Sequence, residues 1–275
     1  MDRITDFHTS LIHNHIYVNA EKSWLSNSEV IFEGTDNILF VEDGVSLRDS
    51  RINFMSSGAV IYLSRSGSPL LVSLVVGQNS AIFIGRENYF NDTVHILATE
   101  WQNIILGGWG AISSGIWIRT ADPHLIYDAE TRERINASKS ILIGDHVWLG
   151  QDVLLLKGTQ IGSGSIIGGG SVLSNKRVPS NTSYAGNPAR QIRGGIFWLG
   201  FCTHIWSPQD TEEHRAASEQ QADWATYRKS ADNLDLREVS KLMEQQTNAA
   251  DRLSVIRKNL VVNQKKDRFY ISAAD

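Results

Sequence analysis

The sequence predicts a mainly β protein of the parallel β-helix class, and three observations point there. A branched apolar residue returns at every sixth position as Ile143, Leu149, Leu155, Ile161, Ile167 and Leu173. From the second member on, a smaller residue sits two places ahead: Val147, Val153, Thr159, Ser165 and Ser171. Glycine follows Ile143, Leu149, Ile161 and Ile167. A period of six is neither the 3.6 of a helix nor the 2 of a simple strand. It suits a coil of three short strands stacked on equivalent strands above and below. The large residue fills the coil, the smaller one its corner, and the glycine is expected to allow the turn.

Taken in chain order, the 275 residues allow one or two domains around a continuous core. Residues 1–29 read as an irregular N-terminal segment. They hold His8, His13 and His15 without an accompanying acidic or cysteine cluster, so no metal is expected. Residues 30–195 read as the solenoid. Strand-like pieces such as Val30-Ile31-Phe32 and Val60-Ile61-Tyr62-Leu63 alternate with turn signals such as Glu42-Asp43-Gly44. The sixfold spacing is degenerate there and resurfaces at Leu106, Ile112 and Ile118. Terminal coils of repeat proteins are commonly atypical.

Between Ile118 and Ile141 the pattern stops, and the polar segment cannot be a coil. Residues 119–140 are therefore expected to protrude as a loop, the place where function concentrates on a rigid scaffold. The regular coils run to about Pro179, after which Ala185–Arg190 leaves them. Residues 196–275 read as a C-terminal α-helical extension. Within it, 210–230 and 234–260 form two amphipathic helices, the second with Leu236, Val239, Leu242 and Met243 on one face. Packing against the solenoid or another subunit, or a role in substrate binding, would each use such faces.

A net charge of −4 gives no reason to expect nucleic acid or an anionic membrane as partner. The single cysteine, Cys202, excludes an intrachain disulfide framework and fits a reducing compartment; beside Phe201 it reads as a small buried residue. The chain shows neither a basic-then-apolar leader nor a run of about 18 apolar residues, so a cytoplasmic location without a membrane span is expected.

Three side chains stand out for chemistry. His124 lies in the excursion, and an imidazole titrating near pH ~6.5 suits a general base acting on a hydroxyl. Trp148 falls between the inward positions Val147 and Leu149, so alternation points it outward, as a subunit contact, a ligand platform or both. His146 precedes it at a corner, where it is a structural or a catalytic residue. His95 reads as structural.

The segments Arg119–Asp128, Ile141–Gly150 and Ser183–Arg193 resemble signatures of the hexapeptide-repeat, left-handed β-helix acyltransferases. The likeness is to the polysaccharide and sialic-acid O-acetyltransferase branch, in which an aspartate shortly precedes the loop histidine. The resemblance spans roughly residues 30–195, with Ala121 where the family often has serine. It implies a left-handed coil, acetyl-CoA as co-substrate without a metal, a carbohydrate acceptor, and a homotrimer with sites between subunits. It further implies that His124 deprotonates a sugar hydroxyl that attacks the thioester directly, with Asp122, or Asp128, fixing the imidazole tautomer. Trp148 would line the acyl or acceptor site. Gly150, Gly168 and Gly169 would admit the pantetheine arm, with Tyr184 beside it. Lys176, Arg177, Arg190 and Arg193 would face the nucleotide phosphates.

The acceptor so implied is a surface polysaccharide, with a small free or nucleotide-linked sugar as the alternative. Two other classes compete. A zinc lyase on the same fold needs a histidine five residues after His124, where Ala129 stands. A non-catalytic β-helix scaffold needs neither the loop histidine nor the outward tryptophan.

Overall fold

The computed structural model describes residues 1–231, 233–263 and 266–274. The chain winds into a triangular solenoid of three largely parallel sheets, visited mostly in the order first, second, third. Between Val60–Leu63 and Val72–Val76 it passes from the second to the first with only the isolated bridge Leu47–Leu70 between, and Trp24–Ser26 with Ser46–Arg48 forms a separate two-stranded sheet. The first and second sheets have eight strands each, the third six. All six members of the sixfold series are at most 1 % exposed and lie along one continuous interior. The smaller residues before them are equally buried at the corners.

Coil width explains where the period was legible. On the second sheet, Ile38, Val60, Ala81 and Asn103 stack in register, at spacings of 22, 21 and 22 residues. Beyond the excursion, Leu142, Gln160 and Arg177 stack at spacings of 18 and 17. Three strands of six residues repeat in phase only in the narrower coils. The wider coils carry extra corner residues whose backbone groups need partners. Buried side chains supply some of them. Asn37 accepts from Ala59 N and donates to Ser56 O, and Asn88 accepts from Gly110 N and donates to Gly85 O and Gly107 O.

The glycines that directly follow the sixfold residues do other work than turning. The left-handed backbone that turns the corner falls two residues later, at His146, Asp152, Gly158, Gly164 and Gly170. Gly144 and Gly150 are required by stacking: a Cβ would lie 2.4 Å from Ser163 Oγ and 2.6 Å from Gly169 N, respectively. The expectation that they serve the turn itself is corrected on that ground.

Residues before 30 are more ordered than expected. Asp2–Ile4 pairs antiparallel with Glu29–Phe32, His15–Tyr17 pairs parallel with Ile38–Val41, and Trp24–Ser26 with Ser46–Arg48. These three-residue strands are too short to show alternation in the sequence. At the other end, Thr182–Gly186 continues the third sheet and folds back on Ala189–Gly194 as a hairpin.

Among the described residues the tail forms four short α-helices in place of the two long ones expected, α1 (Pro208–Glu213), α2 (Glu219–Ala225), α3 (Leu236–Glu244) and α4 (Ala249–Ile256), the last continued by a π-helical turn at Arg257–Val261. Ser207, Ser218, Asp235 and Asn248 cap their N-termini, and Ser218 and Asn248 restart helices inside the runs read as continuous. α3 and α4 lie on the outer face of the second sheet. Leu236, Val239, Met243, Leu253 and Ile256 pack there against Val60, Tyr62, Phe83, Ile105 and Leu142. The second-sheet strands Val60–Leu63, Ala81–Ile84 and Asn103–Leu106 are thus buried on both faces, which accounts for their unbroken apolar character.

Two buried arginines fasten this tail. Arg268 forms a two-point ion pair with Asp145, at 2.7 and 2.8 Å, and also donates to Leu260 O. Arg252, fully buried, donates to Gly58 O on the solenoid and to Gln246 O in the tail. Among the described residues no helix is long and apolar enough to cross a membrane.

Candidate functional site

The excursion leaves the first sheet after Trp117–Arg119 and rejoins the second at Ile141–Ile143. It is a braced loop. Tyr127 and Arg134 bridge its two arms, Ile135 N donates to Ile126 O at 2.9 Å, and Asp128 caps the tip by accepting from Glu130 N and Thr131 N. Asn136 is the hub: its Nδ2 donates to His124 O at 2.7 Å and to Asp122 Oδ2 at 3.1 Å, and its Oδ1 accepts from Ile126 N. Sequence reasoning passed Asn136 over. Its one signal, a buried asparagine in a polar loop, exists only once the structure is known.

The bracing continues into the next coil. Lys157 Nζ is 2.5 Å from Asp122 Oδ2 and 2.9 Å from Asn136 O. Lys157 and Asn136 hold the Asp122 carboxyl below its usual range. On the loop's other side Arg134 forms a two-point ion pair with Glu100, and with Ser138 it pulls that carboxyl down to about 2. Asp122 is therefore brought to Lys157 and Asn136 and not to the His124 ring. The His124 side chain is exposed, and among the described residues no group hydrogen-bonds its imidazole. Its ring is thus left free while its backbone is fixed by Asn136.

Trp148 points outward from the third sheet and is 41 % exposed. Its neighbours on that face are Ala111 below and Ile166 above. His146, in contrast, is buried. Its ring stacks on Trp198 with centroids 3.9 Å apart and planes 5° from parallel, and its two nitrogens face Trp109 O at 3.2 Å and Trp198 O at 3.0 Å. Burial lowers its pKa against the partial support of those carbonyls. A buried, doubly engaged ring is a structural fastener. His95 stacks on Trp117 at 4.1 Å.

His124 sits at the corner joining the first and second sheets, and Trp148 on the third. In a triangle a corner faces the opposite side, so one chain does not bring the two together. The remaining candidates divide likewise. Lys176 and Arg177 lie at the start of the last second-sheet strand, whereas Arg190 and Arg193 are exposed on the third-sheet hairpin. Tyr184 is buried, its hydroxyl 3.4 Å from Gln191. Gly150 and Gly168 abut the next coil so closely that coil stacking alone accounts for them, and Gly169 is less confined. Cys202, expected in the core, is exposed because its segment leaves the solenoid. Among the described residues no His, Cys, Asp or Glu cluster could hold a metal. A concavity of about 530 Å³ lies at the N-terminal end around Arg3, Glu29 and Arg51, lined by no residue of the loop.

A left-handed solenoid bearing one braced histidine loop defines a hexapeptide-repeat acyltransferase. The family described as bacterial transferase hexapeptide (six repeats) matches residues 140–175. The chain is 32 % identical over 182 residues to the polysialic acid O-acetyltransferase of Neisseria meningitidis, spanning 66 % of this chain and 84 % of that one. It belongs to this family and is an O-acyltransferase. The polysialic acid O-acetyltransferase of Escherichia coli O1:K1 is 34 % identical over 125 residues, 46 % of this chain and 40 % of that one. In fold, the polySia-specific acetyltransferase NeuO matches with a TM-score of 0.57 and 26 % identity, covering 74 % of this chain and 98 % of its own. The polysialic acid O-acetyltransferase OatWY matches with 0.56 and 22 %, covering 74 % and 96 %.

Proposed function

We propose that the protein transfers an acetyl group from acetyl-CoA to a hydroxyl of a surface polysaccharide, with His124 as general base. The observation that carries this reading is the exposed, unengaged His124 imidazole on a loop whose backbone is pinned by Asn136. The imidazole takes the hydroxyl proton as the oxygen attacks the thioester carbonyl carbon. The tetrahedral oxyanion collapses, the carbon–sulfur bond breaks, and the departing thiolate recovers the proton from the imidazolium. No covalent enzyme intermediate is needed.

Asp122 acts here through Lys157 and Asn136, holding the loop's shape. The separation of His124 from Trp148 supports a homotrimer, in which one subunit's loop reaches its neighbour's third face and Trp148 lines the shared cleft. Lys176 and Arg177 from one copy and Arg190 and Arg193 from the next would then meet the nucleotide phosphates. Tyr184 and the corner glycines 150, 168 and 169 would border the pantetheine arm.

The test is CoA release from acetyl-CoA against a panel of capsule-type oligosaccharides, with wild type and His124→Ala side by side. An acceptor that stimulates release, with a loss of about 10²–10⁴-fold in the variant, supports the mechanism. Stimulated release that survives the substitution overturns His124 as the base. Acetyl-CoA that does not bind at all overturns the donor.

A further inference from the structure

The tail passes the candidate site before it reaches the second sheet. Trp198 is fastened there on two edges. Its indole N–H donates to His146 O at 3.0 Å, and its own carbonyl lies 3.0 Å from His146 Nε2. Its ring centroid is 6.0 Å from that of Trp148, so the tail extends the aromatic face of the third sheet. Behind Trp198 the chain loops back through α1 and α2 and encloses a second concavity of about 260 Å³. Phe201, Trp206 and His214 form its aromatic walls, with Thr203 and Gln221 as hydrogen-bonding groups.

These aromatics are not used as core. Phe201 is 52 % exposed, and α1 buries no residue at all. Both short helices are instead stabilised by their own reciprocal caps, Ser207 with Asp210 and Ser218 with Gln221. Apolar surface held open by locally stabilised elements, next to a site and with a few convergent polar groups, has the anatomy of a ligand pocket. Its volume lies just under the ~300–1,000 Å³ of drug-sized sites and suits one pyranose ring.

Charge decides which ring. Among the described residues no Lys, Arg, Asp or Glu lines the concavity, and its one titratable wall group, His214, has Nδ1 2.9 Å from Asp210 O. The helices that close it carry Asp210, Glu212, Glu213, Glu219 and Asp223, and the arginines flanking them are paired to two of these, Arg215 3.1 Å from Glu212 and Arg228 2.6 Å from Asp223. A carboxylated sugar would be desolvated beside acidic helices with no Lys or Arg in the wall to pair it, and with His214 already turned to the Asp210 carbonyl. We propose that this tail pocket is an acceptor subsite holding one uncharged sugar unit beside the unit presented to Trp148. It rests on the transferase reading above. It gives this chain an acceptor with uncharged units, in contrast to the polysialic acid named for its relatives.

The test titrates the full-length protein, without acetyl-CoA, with uncharged hexose and N-acetylhexosamine tetramers and with the sialic acid tetramer, following tryptophan fluorescence. At least one uncharged tetramer should quench at no less than tenfold lower concentration than the sialic acid tetramer. Trp206→Ala and Phe201→Ala should each weaken that binding about tenfold. In turnover they should raise KM for the same tetramer about tenfold with kcat within twofold. Equal or tighter binding of the sialic acid tetramer, absence of binding by every uncharged tetramer, or binding that ignores both substitutions would overturn the proposal. So would dissociation of the oligomer by either variant on size exclusion, which would make the pocket a contact between copies. If wild type acetylates nothing yet the quenching and its loss in the variants persist, the subsite stands and the transferase reading falls.

Discussion

The second and first sheets have the same strand count and the same interior, yet their outer faces differ completely. On the second, Val60, Tyr62, Ala81, Phe83, Ile105 and Leu142 are buried beneath α3 and α4. On the first, among the described residues, the outward ladder running through Ser73, His95, Trp117, Leu154 and Val172 is at most half-buried, and Trp117 is 48 % exposed. One face has found its partner within the chain. The other keeps aromatic and aliphatic groups in water, the expected condition of a surface that meets another copy.

The largest effect should come from undoing the cover. Arg268→Met leaves the Asp145 carboxylate buried at the corner, still accepting from Gly108 N but without its cation. Removing one partner of a buried pair costs about 3–5 kcal/mol. Urea denaturation should show that loss; a change below about 1 kcal/mol would mean that the tail is not held at Asp145.

A matched pair of truncations measures the two faces directly. Ile105→Ala, under α3, should cost about 2–4 kcal/mol, whereas Leu154→Ala, at the equivalent outward position of the bare sheet, should cost under about 1. Equal losses in a monomeric preparation would erase the distinction. Trp117→Ser sharpens it further. Far-ultraviolet circular dichroism should be unaltered and monomer stability within about 0.5 kcal/mol, while sedimentation shows weakened self-association. A stable monomer in wild type, or an unaltered oligomer in the variant, would remove this face from the interface.

How much of this was legible in the sequence follows from the same contrast. The sixfold series was visible because Ile143 to Leu173 occupy coils of one width, where a single spacing governs every buried position. The cover on the second sheet also had a signal, the unbroken run Val60-Ile61-Tyr62-Leu63, since a strand wetted on one face alternates. That signal speaks only beside a model of the coil, because an apolar tetrapeptide alone does not say which faces are covered. At the candidate site, the position of His124 in an excursion was readable from the break in pattern. The bonds of Asp122 were not: Asn136 and Lys157 are 14 and 35 residues away, and only the fold makes them neighbours. The two long helices expected of the tail break at Ser218 and Asn248, whose side chains cap new N-termini, a role their residue type allows but does not dictate.

The smallest effect concerns the fastening of the tail at His146. Burial holds this imidazole below its ordinary value, and the unfolded chain titrates near pH ~6.5. Between the two values the unfolded chain binds the proton that the folded one refuses. Stability is therefore full above pH ~6.5 and declines as pH falls toward the lower folded value, by about 1.4 kcal/mol for each unit separating them. The carboxyls of Asp122 and Glu100, both lowered, lose their contribution at more acid pH, which separates the windows. His146→Asn keeps a residue that tolerates the left-handed backbone at this corner (φ 53°) while removing the titrating ring. The variant should begin from lower stability and lack the loss of stability that wild type should show as pH falls below ~6.5. A slope that persists unchanged would assign it to another group and leave His146 as a plain packing residue.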